Sequence, residues 1–254
     1  MVLATGVGAD DSKLPALDPA LMNEAAQVAF EREAARAQAK RTLDRNREQL
    51  RVVRHAAAYL IAYAPKVVPA AAGWSWTVHV ETREEPVAWC LPGGKIMLST
   101  GLVDRAKLTP AEIGVVLAHV IAHALAGRDE AIAAARLAAQ REFPDPNRRI
   151  LQLADILGDI ALSERHGKEA EREADAFALE LMARAGLDPE SAVEAWRKIA
   201  RAGGATPPGF LSLHATWPGR LEEIEALIPQ VQPLYEQARA EQAAQPRPPP
   251  VRTR

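Results

Sequence analysis

The stretch LTPAEIGVVLAHVIAHALAG, residues 108–127, constrains this chain more than any other. Thr109, Pro110 and Glu112 form a capping-box start with proline at the first helical position, and Gly127 stands where a terminating glycine belongs. Between them Ile113, Leu117, Ile121 and Leu125 recur at helical spacing in a nearly uncharged run, so the helix has to lie inside a core. Buried imidazoles need partners. His119 and His123 lie one turn apart on one face, from which both rings can reach a single ion. Spacing alone does not separate a metal site from two coincidentally placed histidines.

A further ligand has to come from elsewhere. The only cysteine is Cys90, which rules out an intrachain disulfide and a thiolate-built zinc site and leaves a buried free thiol. The helical stretch EAEREADAFALELM offers Glu169, Glu171, Glu173 and Asp175 beside an apolar stripe of Phe177, Ala178, Leu181 and Met182. Glu171 and Asp175 share one face, so one carboxylate could complete a His2Glu site while the other orients a ligand imidazole. The competing reading is an ordinary solvated acidic face.

Around these segments the chain reads as mainly α, with one β-like region. Residues 1–17 form a polar leader. Residues 18–65 open on Asp18 and Pro19 and are rich in Ala, Glu, Arg and Gln, which predicts one long helix or a helix pair packed on the core. Then WSWTVHVET alternates at period 2, and the segments VAWC and KIMLST flank the turn LPGG, which predicts a small antiparallel sheet with a hairpin. His79 within it reads as a strand-face residue. Trp89, Trp196 and Trp217 read as core or cleft-wall packing. Residues 236–254 are expected as a disordered Pro- and Arg-rich tail.

A net charge of −2 without blocks of like charge gives no footprint for nucleic acid or an anionic membrane. No run reaches the roughly eighteen apolar residues of a membrane span.

HVIAH, then EREAD, preceded by AWCLPGGKIMLSTGL and followed by FLSLHATWPGR, resembles the gluzincin metallopeptidases. These include the CAAX prenyl proteases, the HtpX-like heat-shock membrane proteases, and the bacterial periplasmic and mitochondrial quality-control proteases. The resemblance covers about residues 74–227 and implies a zincin-like helical domain over residues 66–235. It implies one Zn2+ per chain held by His119, His123 and Glu171, with Asp175 behind a ligand histidine. It places Lys95, Ile96, Met97 and Leu98 on a strand that pairs with an extended polypeptide substrate. His214 and Arg220 fall on a late His and Arg pair that could stabilise the oxyanion or regulate access, although Ala215 replaces the usual proline.

The larger departure is Val120, which stands where the family has its general-base glutamate. Zinc lowers the pKa of bound water to about 7, and the glutamate takes and returns the proton; valine can do neither. Losing that help costs on the order of 10²–10⁴ in rate. The implied function is a zinc metalloendopeptidase of protein quality control, inactive or nearly so in this chain. The intact surrounding segments favour a recent or engineered loss, since Glu and Val codons differ by one base.

The alternative is a zinc-binding pseudo-peptidase acting as a polypeptide-binding chaperone or adaptor. A third reading is an all-helical interaction protein without metal. The resemblance further suggests a periplasmic location with the signal removed, with the cytoplasm as the alternative. The oligomeric state is left open.

Overall fold

In the computed structural model, which describes residues 18–127, 145–163, 166–203, 214 and 217–244, the N-terminal stretch resolves into two helices. Asp18 accepts from the Ala20 amide and starts α1, Pro19–Ala39. The chain then turns through left-handed residues at Arg41 (φ 59°) and Asp44 (φ 53°). Asn46 caps α2, Arg47–Val67, by accepting from the Gln49 amide. Pro65 lies in the last turn of α2 and does not stop it. After a short 3-10 segment, Pro69–Gly73, come β1 (Thr77–Glu81), β2 (Ala88–Leu91) and β3 (Lys95–Ser99).

The remaining described elements are helices: α3 (Thr100–Ala106), α4 (Pro110–Leu125), α5 (Pro146–Ser163), α6 (Lys168–Arg184), α7 (Ser191–Gly203) and α8 (Arg220–Ala244). The fold is therefore mainly α with a small sheet, consistent with a zincin-like domain. Residues 236–244, expected in the tail, are the last turns of α8. Their Ala, Glu, Gln and Arg composition favours helix over coil. The leader (residues 1–17), Ala215 and residues 245–254 lie outside the described residues.

The sheet has the order β1-β3-β2 and is mixed, where an antiparallel one was expected. Gly93 and Gly94, at φ 76° and 80°, turn the chain so that β2 and β3 pair antiparallel, with Ala88 opposite Leu98 and Leu91 opposite Lys95. β1 lies on the far side of β3 and runs parallel to it, from Thr77 opposite Lys95 to Glu81 opposite Ser99. Alternation specifies which residues share a face but not which strand is the neighbour. β3 is consequently the central strand.

Its two faces feed two cores. Cys90, Ile96 and Leu98 join α2, α3, α4, α6 and α7 in the larger one, whereas Trp89, Leu91 and Met97 face α1 and α5 in a second. α4 runs through the larger core and packs on α2, α6, α7 and β2. Every residue from Glu112 to Leu125 is buried. The capping box at its start is formed in both directions: the Glu112 amide donates to Thr109 Oγ1, and the Thr109 amide donates to a Glu112 carboxylate oxygen. Lys198 of α7 pairs with that same carboxylate at 2.8 Å, so the helix start is fastened to its neighbour.

Candidate metal centre

α4 crosses α6 where His119 and His123 meet Glu171, and His214 enters the same space from the segment before α8. All four side chains are buried; His119 and Glu171 have no exposed surface at all. His119 Nε2 is 3.1 Å from His123 Nε2 and 3.1 Å from His214 Nδ1. Glu171 Oε1 lies 3.3 Å from His123 Nε2 and 3.1 Å from His214 Nδ1, and Oε2 lies 3.4 Å from His119 Nε2.

Four donors arranged tetrahedrally at zinc's usual bond lengths are about 3.3–3.4 Å apart. Four pairs among His119 Nε2, His123 Nε2, His214 Nδ1 and Glu171 Oε1 are 3.1–3.3 Å apart, and the second Glu171 oxygen, Oε2, is 3.4 Å from His119 Nε2, all close to that spacing. Three imidazoles and one carboxylate also form a donor set that suits zinc and other borderline divalent ions. The residues present therefore fit a metal ion.

Behind the donors lies a buried ionic layer. Asp175 Oδ1 sits 3.0 Å from His119 Nδ1, so the opposite nitrogen of that ring is turned toward the other donors. Arg220 donates from Nε to Asp175 Oδ2 at 2.8 Å and from Nη2 to Oδ1 at 2.9 Å. Nη2 also lies 2.9 Å from Glu171 Oε2. The guanidinium stacks over Trp196 at 4.0 Å, and Trp196 meets His119 edge to face at 4.8 Å. Arg220 is thus 3% exposed and committed to two carboxylates. The charge expected to serve an oxyanion or access is already engaged by Asp175 and Glu171.

The electrostatics follow from this packing. Burial opposes charge on Glu171, but the surrounding imidazoles outweigh it and hold the carboxyl far below its ordinary range. Asp175 is likewise lowered, with His119 and Arg220 overcoming burial. Burial alone would lower His119, yet Glu171 and Asp175 raise it. Burial dominates at the other two imidazoles and pushes His123 down to about 3 and His214 to about 4, which keeps both neutral as donors.

The four residues Lys95, Ile96, Met97 and Leu98 are not available as a substrate edge. β3 is paired on both sides and these residues are at most 3% exposed, so no backbone donor or acceptor remains for an added strand. β1 is bordered on its outer side by an isolated bridge from Leu43 to Glu81. β2, which packs on α4, is the other edge strand. Val120 is buried on α4 among the residues of the larger core.

Trp196, expected as core or cleft-wall packing, forms a wall through α7. One neighbour of the donors escaped the sequence reading: His166, one residue before the Gly167 cap of α6, stacks on His123 with ring centroids 4.0 Å apart. The available signal for His166 was a histidine five residues ahead of Glu171.

Residues 45–228 match the profile of peptidase family M48. The chain is 28% identical over 185 residues to the mitochondrial metalloendopeptidase OMA1 of Saccharomyces cerevisiae, covering 65% of this chain and 51% of that protein. It is 32% identical over 143 residues to the Arabidopsis thaliana mitochondrial metalloendopeptidase OMA1, covering 56% of this chain and 29% of the relative. With the Schizosaccharomyces pombe protein of the same name it shares 28% identity over 211 residues, covering 80% of this chain and 62% of that one. The chain thus spans about half the length, or less, of two of these relatives and under two thirds of the third. Their mitochondrial names overturn the periplasmic location expected from the sequence.

Proposed function

Because the chain belongs to peptidase family M48, we propose that it is the scaffold of a zinc-dependent metalloendopeptidase, with His119, His123 and Glu171 as ligands and His214 as a fourth donor. The observation that carries this is the set of 3.1–3.4 Å separations among four buried donors. When bound, zinc would polarise a peptide carbonyl and acidify a water. Asp175 orients His119, Arg220 holds both acids, and Trp196 excludes water from one side of His119. The substrate would be an extended or unfolded polypeptide. Val120 offers no proton acceptor, so the chain as it stands is inactive or nearly so.

A second reading, a zinc-stabilised module that binds polypeptide without cutting it, draws on a particular feature. Catalytic zinc sites keep a position open, whereas structural sites are closed by four protein donors, and here His214 takes the fourth corner.

Elemental analysis of the purified protein is expected to give about one zinc per chain, lost in His119→Ala and Glu171→Ala. Val120→Glu is expected to cleave casein in a reaction stopped by 1,10-phenanthroline. Absence of zinc from the unaltered chain would overturn the metal centre. A folded, zinc-loaded Val120→Glu variant that cuts nothing would favour the non-catalytic module.

A further inference from the structure

His166 touches the site in two independent ways. Its ring lies nearly parallel to that of His123, with centroids 4.0 Å apart and planes at 18°. Its backbone forms an isolated parallel bridge with His214, whose ring centroid is 5.6 Å away. His166 is only partly buried, whereas His119, His123 and His214 are buried. It is therefore the outermost histidine of the group, and it joins the α4 ligand to the residue in the fourth corner.

His214 is fastened on its other side as well. Trp217, three residues on, lies beneath the Arg220 guanidinium at 5.0 Å and near Lys168 at 5.1 Å. Arg172, 5.8 Å from the same ring, is paired bidentately with Glu223. On that side the contacts of Trp217 fasten the chain just after His214 to the starts of α6 and α8. On the other side, besides its 3.1 Å contact with Glu171, His214 is bridged to His166 at the start of α6, and His166 is in turn stacked on His123.

We propose that His166 is the latch of the site: stacking on His123 and bridging to His214, it keeps His214 among the donors, and a ligand gains the fourth position only when those contacts break. This rests on the metal-centre reading above. It implies an equilibrium between a closed form, with His214 in the corner, and an open form that accepts an outside ligand. A ligand that binds only the open form has an apparent affinity scaled by the open fraction. Removing the His166 ring raises that fraction without touching a donor.

The test loads the full chain with cobalt(II) and titrates acetohydroxamate, following the visible spectrum. Relative to the unaltered chain, His166→Ala is expected to bind the hydroxamate about three- to tenfold more tightly, the shift expected on removing one stacked ring pair. His166→Phe, which restores an aromatic face, is expected to bind it about as the unaltered chain does. His214→Ala sets the limit for a fully open site. Should the alanine variant fail to fold by circular dichroism, His166→Gln, without an aromatic face, is read in its place.

If His214→Ala tightens the hydroxamate while the His166 variants do not, the latch is overturned and the metal centre stands. If cobalt binds none of the proteins, the metal-centre reading itself has failed.

Discussion

Glu171 has no contact with solvent, and a carboxylate in that position persists only where surrounding charges outweigh the cost of desolvation. The imidazoles of His119, His123 and His214 do so, and Arg220 adds a permanent charge 2.9 Å from Glu171 while also gripping Asp175. Replacing Arg220 with alanine is expected to weaken zinc binding about 10–100-fold, the usual cost of losing an outer partner of a ligand. Folding stability should fall by about 3–5 kcal/mol because two buried acids lose their counter-ion. Competition against a chelating dye and urea unfolding measure the two effects; unchanged zinc affinity would leave Arg220 without a positioning role.

Acid should act through the same residues. His123 and His214 fall from an ordinary 6.5 to about 3 and 4 in the folded chain, so the unfolded chain binds more protons over that interval. The stability that these two imidazoles contribute to the metal-free protein is then complete above about pH 6.5 and declines as pH falls toward 4, and the depressed Glu171 and Asp175 add to the loss lower down. The raised His119, by contrast, contributes stability that is lost as pH rises above its ordinary 6.5. A urea midpoint that is flat between pH 6 and pH 4 would contradict this. At this scale the sequence was informative wherever ligands share a helix face, as with His119 and His123 or Glu171 and Asp175. His166 was not legible, and Trp196 was legible only as packing and not as the wall beside His119, because these contacts depend on α6 and α7 crossing α4 at one point, which no local spacing records.

Elements were legible in proportion to how local their determinants are. The capping box at Thr109 and Glu112 places the start of α4 within the sequence itself. The break between α1 and α2 contains neither glycine nor proline: the left-handed Arg41 closes α1, with the Thr42 amide donating back to Ala37 O, and the left-handed Asp44 pairs with β1, its amide donating to Val80 O and its Oδ1 accepting from the Val80 amide. The placement of β3 in the middle of the sheet is equally non-local, since only the hairpin partner β2 is adjacent in sequence.

That placement depends on a close approach at the start of α3. Ser99 is buried and acts as a hub, accepting from the Leu102 and Val87 amides and donating to Glu85 O. Next to it, Gly101 donates its amide to Arg83 O at 2.9 Å. A Cβ on Gly101 would stand 2.1 Å from Glu84 O and 2.6 Å from Arg83 O, both of them backbone atoms. Gly101→Ala is therefore expected to destabilise the protein by about 1–3 kcal/mol through overpacking. Chemical denaturation checks this, and an unchanged midpoint would mean that residues 83–84 yield without cost.

Across the whole molecule, the sheet separates two cores with different duties. The larger core contains α4, with Leu117 and Ile121 fully buried, and so carries the donors. The second core joins α1 and α5 to the opposite face through Met22, Phe30, Trp89, Met97, Leu153 and Leu157. α1 also lies outside the part of the chain that matches the M48 profile. Phe30, 2% exposed, meets Trp89 edge to face at 5.9 Å and lies parallel to the His79 ring at 5.4 Å. If the division is real, damage to the second core lowers stability without altering the donors.

Phe30→Ala is expected to cost about 3–5 kcal/mol, whereas Leu117→Ala costs about 2–5 kcal/mol. Their effects on the metal should nevertheless differ. Zinc affinity in folded Phe30→Ala should match that of the unaltered chain, because Phe30 belongs to the second core and its ring partners, His79 and Trp89, are on the sheet rather than on α4 or α6. In Leu117→Ala it should fall, because the cavity opens on α4 two residues from His119. Melting curves with and without zinc read both quantities at once. Equal loss of zinc affinity in the two variants would show that the sheet transmits strain between its faces and that the cores act as one.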